Sequence, residues 1–288
     1  MYSETPSEKF SADTIAIIGV GLLGGSIAAA VRTRHLVNRV IGVGRSLARL
    51  EIAESAGLID SCTTDVTRAA QDAEMLVFCT PVDQIVRGVR TAVANGRPGT
   101  LITDVGSIKG SICRGVSDGL TAGATFIGSH PLAGSEKQGF KNSDADLFDG
   151  CVCVVTPDNQ TPLDQLARLT RFWRALGAVV IEMSPEDHDH TLAKTSHLPH
   201  VVAATLASML TETERDFAAS GFRDTTRIGA ADPELWIGIL RNNVEAVIES
   251  LDSYSDRLGE FRAALANHDA NALKSLLQLA KTNRDALD

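Results

Sequence analysis

The apolar run Ile15-Ala16-Ile17-Ile18 passes directly into Gly19-Val20-Gly21-Leu22-Leu23-Gly24, and an Ala-rich stretch over residues 26–32 follows. A β-branched strand, a turn spaced GxGxxG and a helix, in that order, admit few folds. The chain must leave a strand sharply and start a helix whose amino end points at whatever sits on the turn. Gly19 permits the tight turn, Gly21 lets the backbone come close to a pyrophosphate, and Gly24 lets the helix pack against the strand. Leu22 and Leu23 stand at the helix amino terminus, where uncommitted N–H groups and the positive dipole end favour phosphate. The segment is expected to bind a dinucleotide.

Further strand-like runs lie at residues 40–43, 75–79, 101–103, 125–128, 151–156 and 178–181, with helical stretches between them. That alternation requires crossover connections and a mainly parallel, doubly wound sheet, a Rossmann-like architecture. Beyond residue 181 the β signal stops. Ser184-Pro185-Glu186-Asp187 and Asp232-Pro233-Glu234 read as capped helix starts, as does Thr161-Pro162-Leu163-Asp164 before them. At 288 residues the chain can bury two cores. The expected fold class is α/β plus all-α: a Rossmann-like nucleotide-binding domain over 1–183, then a helical substrate and dimerisation domain over 184–288.

Within the helical part, Leu240, Val244, Val247, Leu251, Tyr254, Leu258, Phe261 and Leu265 recur at alternating steps of four and three. As one helix this stripe would run roughly 39 Å. It would serve as internal core or, in part, as the interface of a homodimer.

Composition narrows the partners. A formal net charge of −9 argues against nucleic acid, which needs a basic face; a few arginines still suffice for a small anionic substrate. The longest smooth apolar segment, 201–210, is too short to span a bilayer. The first dozen residues are polar and contain no apolar signal core. Five cysteines without CxxC spacing read as reduced thiols, so a cytoplasmic protein is expected.

The end of the second strand selects the nicotinamide. NAD-binding folds place an acidic residue about 20 positions past the glycines, on the ribose 2′-hydroxyl. Here the stretch reads Gly42-Val43-Gly44-Arg45-Ser46. Arg45 and Ser46 suit a 2′-phosphate, and NADP is favoured over NAD.

Other segments fall at the ends of expected elements. They are Cys79-Thr80-Pro81-Val82, Asp104-Val105-Gly106-Ser107-Ile108-Lys109, Gly128-Ser129-His130-Pro131-Leu132-Ala133-Gly134-Ser135-Glu136 and Ser196-His197-Leu198-Pro199-His200. Gly221-Phe222-Arg223-Asp224-Thr225-Thr226-Arg227-Ile228 precedes Asp232-Pro233-Glu234-Leu235-Trp236. In this order and spacing the chain, from the glycine turn to about Asn243, resembles the prephenate/arogenate dehydrogenase family of tyrosine biosynthesis. The resemblance implies oxidation of a cyclohexadienol at its C4 hydroxyl, hydride passing to NAD(P), and loss of carbon dioxide to leave a phenol. Such chemistry requires a base for the hydroxyl proton, a clamp for the carboxylates and a well-placed nicotinamide.

His130 is the natural base, since imidazole titrates near neutrality. Ser107 orients that imidazole or the substrate hydroxyl, and the resemblance sets it beside the nicotinamide; a helix cap is its plainer role. Thr80 and Pro81 are counted with the cofactor. Arg227 is the candidate carboxylate clamp; Arg223 competes, although Asp224 beside it offers an ion pair. His200 adds a second polar contact and His197 supports it, with Pro199 between them implying a kink or a fresh helix start. By resemblance Glu136 touches the substrate side chain. Trp236 lines the pocket or is plain core, and Lys109 acts on the cofactor or lies at the surface. No metal is expected: His188, His190, His197 and His200 lack a metal-binding spacing such as HExxH. The alternatives are a β-hydroxyacid-type dehydrogenase, against which Leu198 stands where that class has an asparagine four residues after its lysine, and a non-catalytic NAD(P)-sensing dimer.

Overall fold

The computed structural model describes residues 10–117, 123–134 and 138–287. The chain forms two compact units. One comprises the residues up to Leu192 together with Ala230–Asn243; the other comprises Ala193–Gly229 and the residues from Val244 on.

In the first unit, strands and helices alternate: β1 (Ala12–Ile18), α1 (Leu22–Thr33), β2 (Val37–Val43), α2 (Leu47–Ser55), β3 (Ser61–Thr63), α3 (Val66–Asp72), β4 (Met75–Phe78), α4 (Val82–Asn95), β5 (Leu101–Asp104), α5 (Gly110–Ser117) and β6 (Thr125–Phe126). The strands form a six-stranded parallel sheet ordered β3-β2-β1-β4-β5-β6. This is the dinucleotide-binding order, in which the chain switches direction between β1 and β4. Ile18 stands level with Val43 on one side and Phe78 on the other, so these strands end together. Both faces are buried, which explains the unbroken apolar runs. Ile15, Ile17, Met75 and Val77 face one core with Ile27 and Trp173. Ala16, Ile18, Leu76 and Phe78 face the other with Ile85 and Ile112. The short strand β3 was not expected.

The run 125–128, read as one strand, is two. The chain turns at Ile127, and β7 (Gly128–Pro131) enters a separate three-stranded sheet, antiparallel to β8 (Val152–Thr156), which pairs in parallel with β9 (Val179–Glu182). His130 therefore lies on a strand, opposite Val154, and not in a turn. Helix α6 (Leu163–Ala175) and helix α7 (Pro185–Leu192) complete this part. The expected cap at α7 is present: Ser184 Oγ accepts the Asp187 amide at 3.0 Å.

The second unit is helical. A π-helical turn, Ala193–His197, leads into α8 (Leu198–Ser208), followed by α9 (Ser220–Thr226) and a 3-10 turn, Arg227–Ala230, that leads out of the unit. Pro199 cannot donate to the helix ladder, and the chain absorbs it at the first positions of α8 after the wide turn. Helix α10 (Pro233–Arg241) returns to the first unit, where Ile239 is buried in the second core and Trp236 packs on it. Helix α11 (Val244–Ala266) and α12 (Ala270–Asp285) finish the second unit. The apolar stripe is thus not one helix. It breaks at Asn242 and Asn243, leaving Leu240 on α10 and the rest on α11. Val247 is buried there, whereas Leu258 and Leu265 are exposed. Among the described residues no helix is long and apolar enough to cross a membrane. All five cysteines are free thiols.

Candidate active site

The glycine turn sits at the switch point, beyond the end of β1 and against the end of β4. Gly19 has φ +100°, and a Cβ there would lie 2.7 Å from the Cys79 carbonyl oxygen. A Cβ on Gly24 would lie 2.2 Å from the Gly19 carbonyl oxygen, so only glycine lets α1 start this close to its strand. Gly21 differs, because a Cβ there would meet nothing within 4 Å. It marks open space over the amino terminus of α1, which no side chain caps. Beside it, Thr80 Oγ1 is buried without a hydrogen-bond partner among the described residues. An open helix end and an orphaned hydroxyl would suit a dinucleotide pyrophosphate, which the amides of Leu22, Leu23 and Gly24 would hold. Pro81 starts α4 just beyond. Arg45 and Ser46 are exposed at the start of α2, and the Ser46 side chain makes no capping bond there.

His130 is held by a chain of side chains that the sequence did not suggest. Its Nδ1 lies 2.9 Å from His188 Nε2, and His188 Nδ1 lies 2.8 Å from Asp189 Oδ1. Asp189 also accepts the amides of Lys109 and Gly110, each at 2.8 Å, and so caps α5. Burial opposes its ionisation, but these bonds and His188 hold its carboxyl below the usual range. Burial lowers His188, so that imidazole is neutral despite Asp189 beside it. A neutral His188 donating to Asp189 from Nδ1 must accept at Nε2; His130 then donates from Nδ1 and carries its lone pair on Nε2. Asn243 donates to the Asp189 carbonyl at 2.8 Å and steadies the helix from behind.

Ser129, next to His130, is pinned by its neighbours. Its hydroxyl donates to the Asp104 carbonyl at 2.6 Å and receives Trp173 Nε1 at 3.0 Å. Lys109 is not at the surface: it is fully buried in an ion pair with Asp104. Ser107 is half-buried on the turn between β5 and α5, and Asp189 takes the amides that a capping serine would serve. Trp236 is half-buried against the second core. Glu136 lies outside the described residues. His197, His200 and Arg227 belong to the second unit. Both histidines are buried, and burial lowers His200. Arg227 is exposed and forms no ion pair among the described residues. Arg223 bonds the Ala218 carbonyl at 3.0 Å in place of the expected pair with Asp224. Among the described residues no cluster of histidine, cysteine and carboxylate side chains could hold a metal ion.

Residues 27–182 match the family model of the prephenate dehydrogenase nucleotide-binding domain, and residues 184–279 match that of the prephenate dehydrogenase dimerization domain. The chain belongs to the prephenate dehydrogenase family. It is 34% identical over 281 residues to the cyclohexadienyl dehydrogenase of Zymomonas mobilis, covering 95% of each chain. A crystal structure of prephenate dehydrogenase from Aquifex aeolicus, in complex with hydroxyphenyl propionate and NAD+, superposes with a TM-score of 0.90 at 29% identity, covering 97% of this chain and 99% of that one. Synechocystis arogenate dehydrogenase superposes with a TM-score of 0.84 at 32% identity, covering 96% and 100%. Prephenate and arogenate dehydrogenases are oxidoreductases, and membership carries that reaction class to this chain. For a prephenate dehydrogenase fold the residues not foreseen are His188 and Asp189, whose only signal was a histidine followed by an acid on a capped helix just past the last strand.

Proposed function

We propose that this enzyme oxidatively decarboxylates prephenate in preference to arogenate, with NADP favoured over NAD. The observation that carries the reading is the hydrogen-bonded chain from Asp189 through His188 to His130, which fixes a lone pair on His130 Nε2. His130 takes the proton of the C4 hydroxyl as the hydride departs, and Ser107 orients the hydroxyl. Asp189 and His188 hold the tautomer and steady the charge that forms. With the dinucleotide held at the glycine turn, its nicotinamide would supply the hydride acceptor, and Thr80 and Pro81 would border it. Arg227 grips a substrate carboxylate as a bidentate donor; His200 adds a polar contact, supported by His197. Trp236 lines the pocket, and Glu136 meets the substrate side chain. The exposed apolar residues of α11 support a homodimer through the helical domain over 184–288, and the free thiols suit the cytoplasm.

Initial rates of reduced-nicotinamide formation with prephenate or arogenate, each with NAD or NADP, test the reading directly. The highest kcat/KM is expected for prephenate with NADP, and silence in all four mixtures from a folded, nucleotide-binding protein overturns it. Arg45→Ala is expected to raise KM for NADP by about tenfold and to leave that for NAD nearly unchanged. An equal effect on both cofactors would remove the 2′-phosphate contact. Arg227→Ala is expected to raise the substrate KM by about 10–100-fold with a smaller change in kcat, as loss of a charge-assisted bond made in ground and transition states alike. Steady-state kinetics at saturating cofactor check it, and an unchanged KM points to Arg223.

A further inference from the structure

Lysine is seldom buried, yet Lys109 has no exposed surface. Its ammonium pairs with Asp104 at the end of β5 and donates to the Ser129 carbonyl at 2.9 Å, while its amide donates to Asp189. It therefore contacts both the residue before His130 and the carboxylate that orients His188. Asp104 also accepts the amides of Gly106 at 2.8 Å and Ser129 at 3.2 Å. Two amide-held carboxylates in a dry pocket would by themselves favour a protonated imidazole. Among the described residues, the ionisable groups facing this pocket are Asp104 from β5, Cys79 just after β4, His130 from β7, Cys153 from β8, His188 and Asp189 from α7, and Cys113 on α5. Burial pushes the Cys113 thiol up to about 11 and raises Cys79 and Cys153 well above the ordinary thiol value, so none of them adds charge. Lys109 is the one cation in this set. The Arg114–Glu186 pair lies at the exposed rim, and its two charges cancel.

We propose that Lys109 is a positioning residue whose fixed charge offsets one of the two carboxylates, Asp104 and Asp189, and so keeps the His130–His188 pair neutral and able to accept a proton. The inference rests on His130 being the base.

The test is the acidic limb of kcat/KM against pH, which reports the imidazole pair as a unit. It is measured for the wild type, Lys109→Met, Asp104→Asn and the double variant, each first shown to bind NADPH by its fluorescence. Lys109→Met is expected to move the limb up by about one pH unit and Asp104→Asn to move it down by about as much, with the double variant near the wild type. If Lys109→Met does not fold, the opposite shift of Asp104→Asn and its reversal in the double variant carry the same information. Limbs that coincide in all folded variants, whatever their loss of rate, reduce Lys109 to a packing strut and overturn the proposal. Near-normal turnover in His130→Asn, with its acidic limb intact, would overturn the base assignment and the proposal together.

Discussion

Replacing His130 with asparagine is expected to lower kcat by about 10²–10⁴-fold, the usual worth of a positioned acid–base group, with little change in substrate KM. The amide is close in size and can still donate to His188 Nε2, so the strand and its network survive. What it lacks is a basic nitrogen at the Nε2 position. Rates of reduced-nicotinamide formation, with nucleotide binding as the check on folding, measure the loss. A variant with near-normal kcat would show that another group takes the proton.

Asp189→Asn is the second large effect. The carboxylate accepts three donors, the His188 ring and the amides of Lys109 and Gly110. An amide has one acceptor oxygen, so its NH₂ must face a donor. The mismatch is expected to cost about 1–3 kcal/mol of stability. It also releases the His188 tautomer, and with it the orientation of His130, so kcat is expected to fall by about 10²–10³-fold. A thermal melt read beside kcat separates the two consequences. Turnover at the wild-type rate in a protein that melts lower would assign Asp189 to helix capping alone.

The parallel sheet was legible because its signals are local. A buried strand is a continuous apolar run, and the glycine turn is a contiguous string whose steric demands at Gly19 and Gly24 can be stated from spacing. Strand β3 escaped because three residues, Ser61–Thr63, carry no apolar run. Strand β7 escaped because Ser129, His130 and Pro131 carry no apolar run beyond the expected strand end at Gly128, although pairing with β8 decides their conformation. The break in the apolar stripe was hidden by a spacing that continues across it; the adjacent asparagines were the signal. Of the candidate site, His130 could be singled out from its own segment. Its partners could not, because His188 is 58 residues away and only the folded chain brings the rings together. Lys109 was misjudged for the same reason: its position after a turn suggested solvent, and its counterion Asp104 was visible only once both were buried.

The chain passes between its two units three times, at Leu192, at Ala230 and at Asn243. One practical consequence concerns dissection of the gene. A fragment ending after β9 or α7 would carry every strand of the nucleotide-binding unit yet lose α10, and with it the Ile239 side chain that belongs to one face of the sheet. Such a piece would present bare apolar surface to water and be prone to self-association. An independent nucleotide-binding module would have to be spliced, with residue 192 joined to residue 230 by a linker and the chain stopped at Asn243.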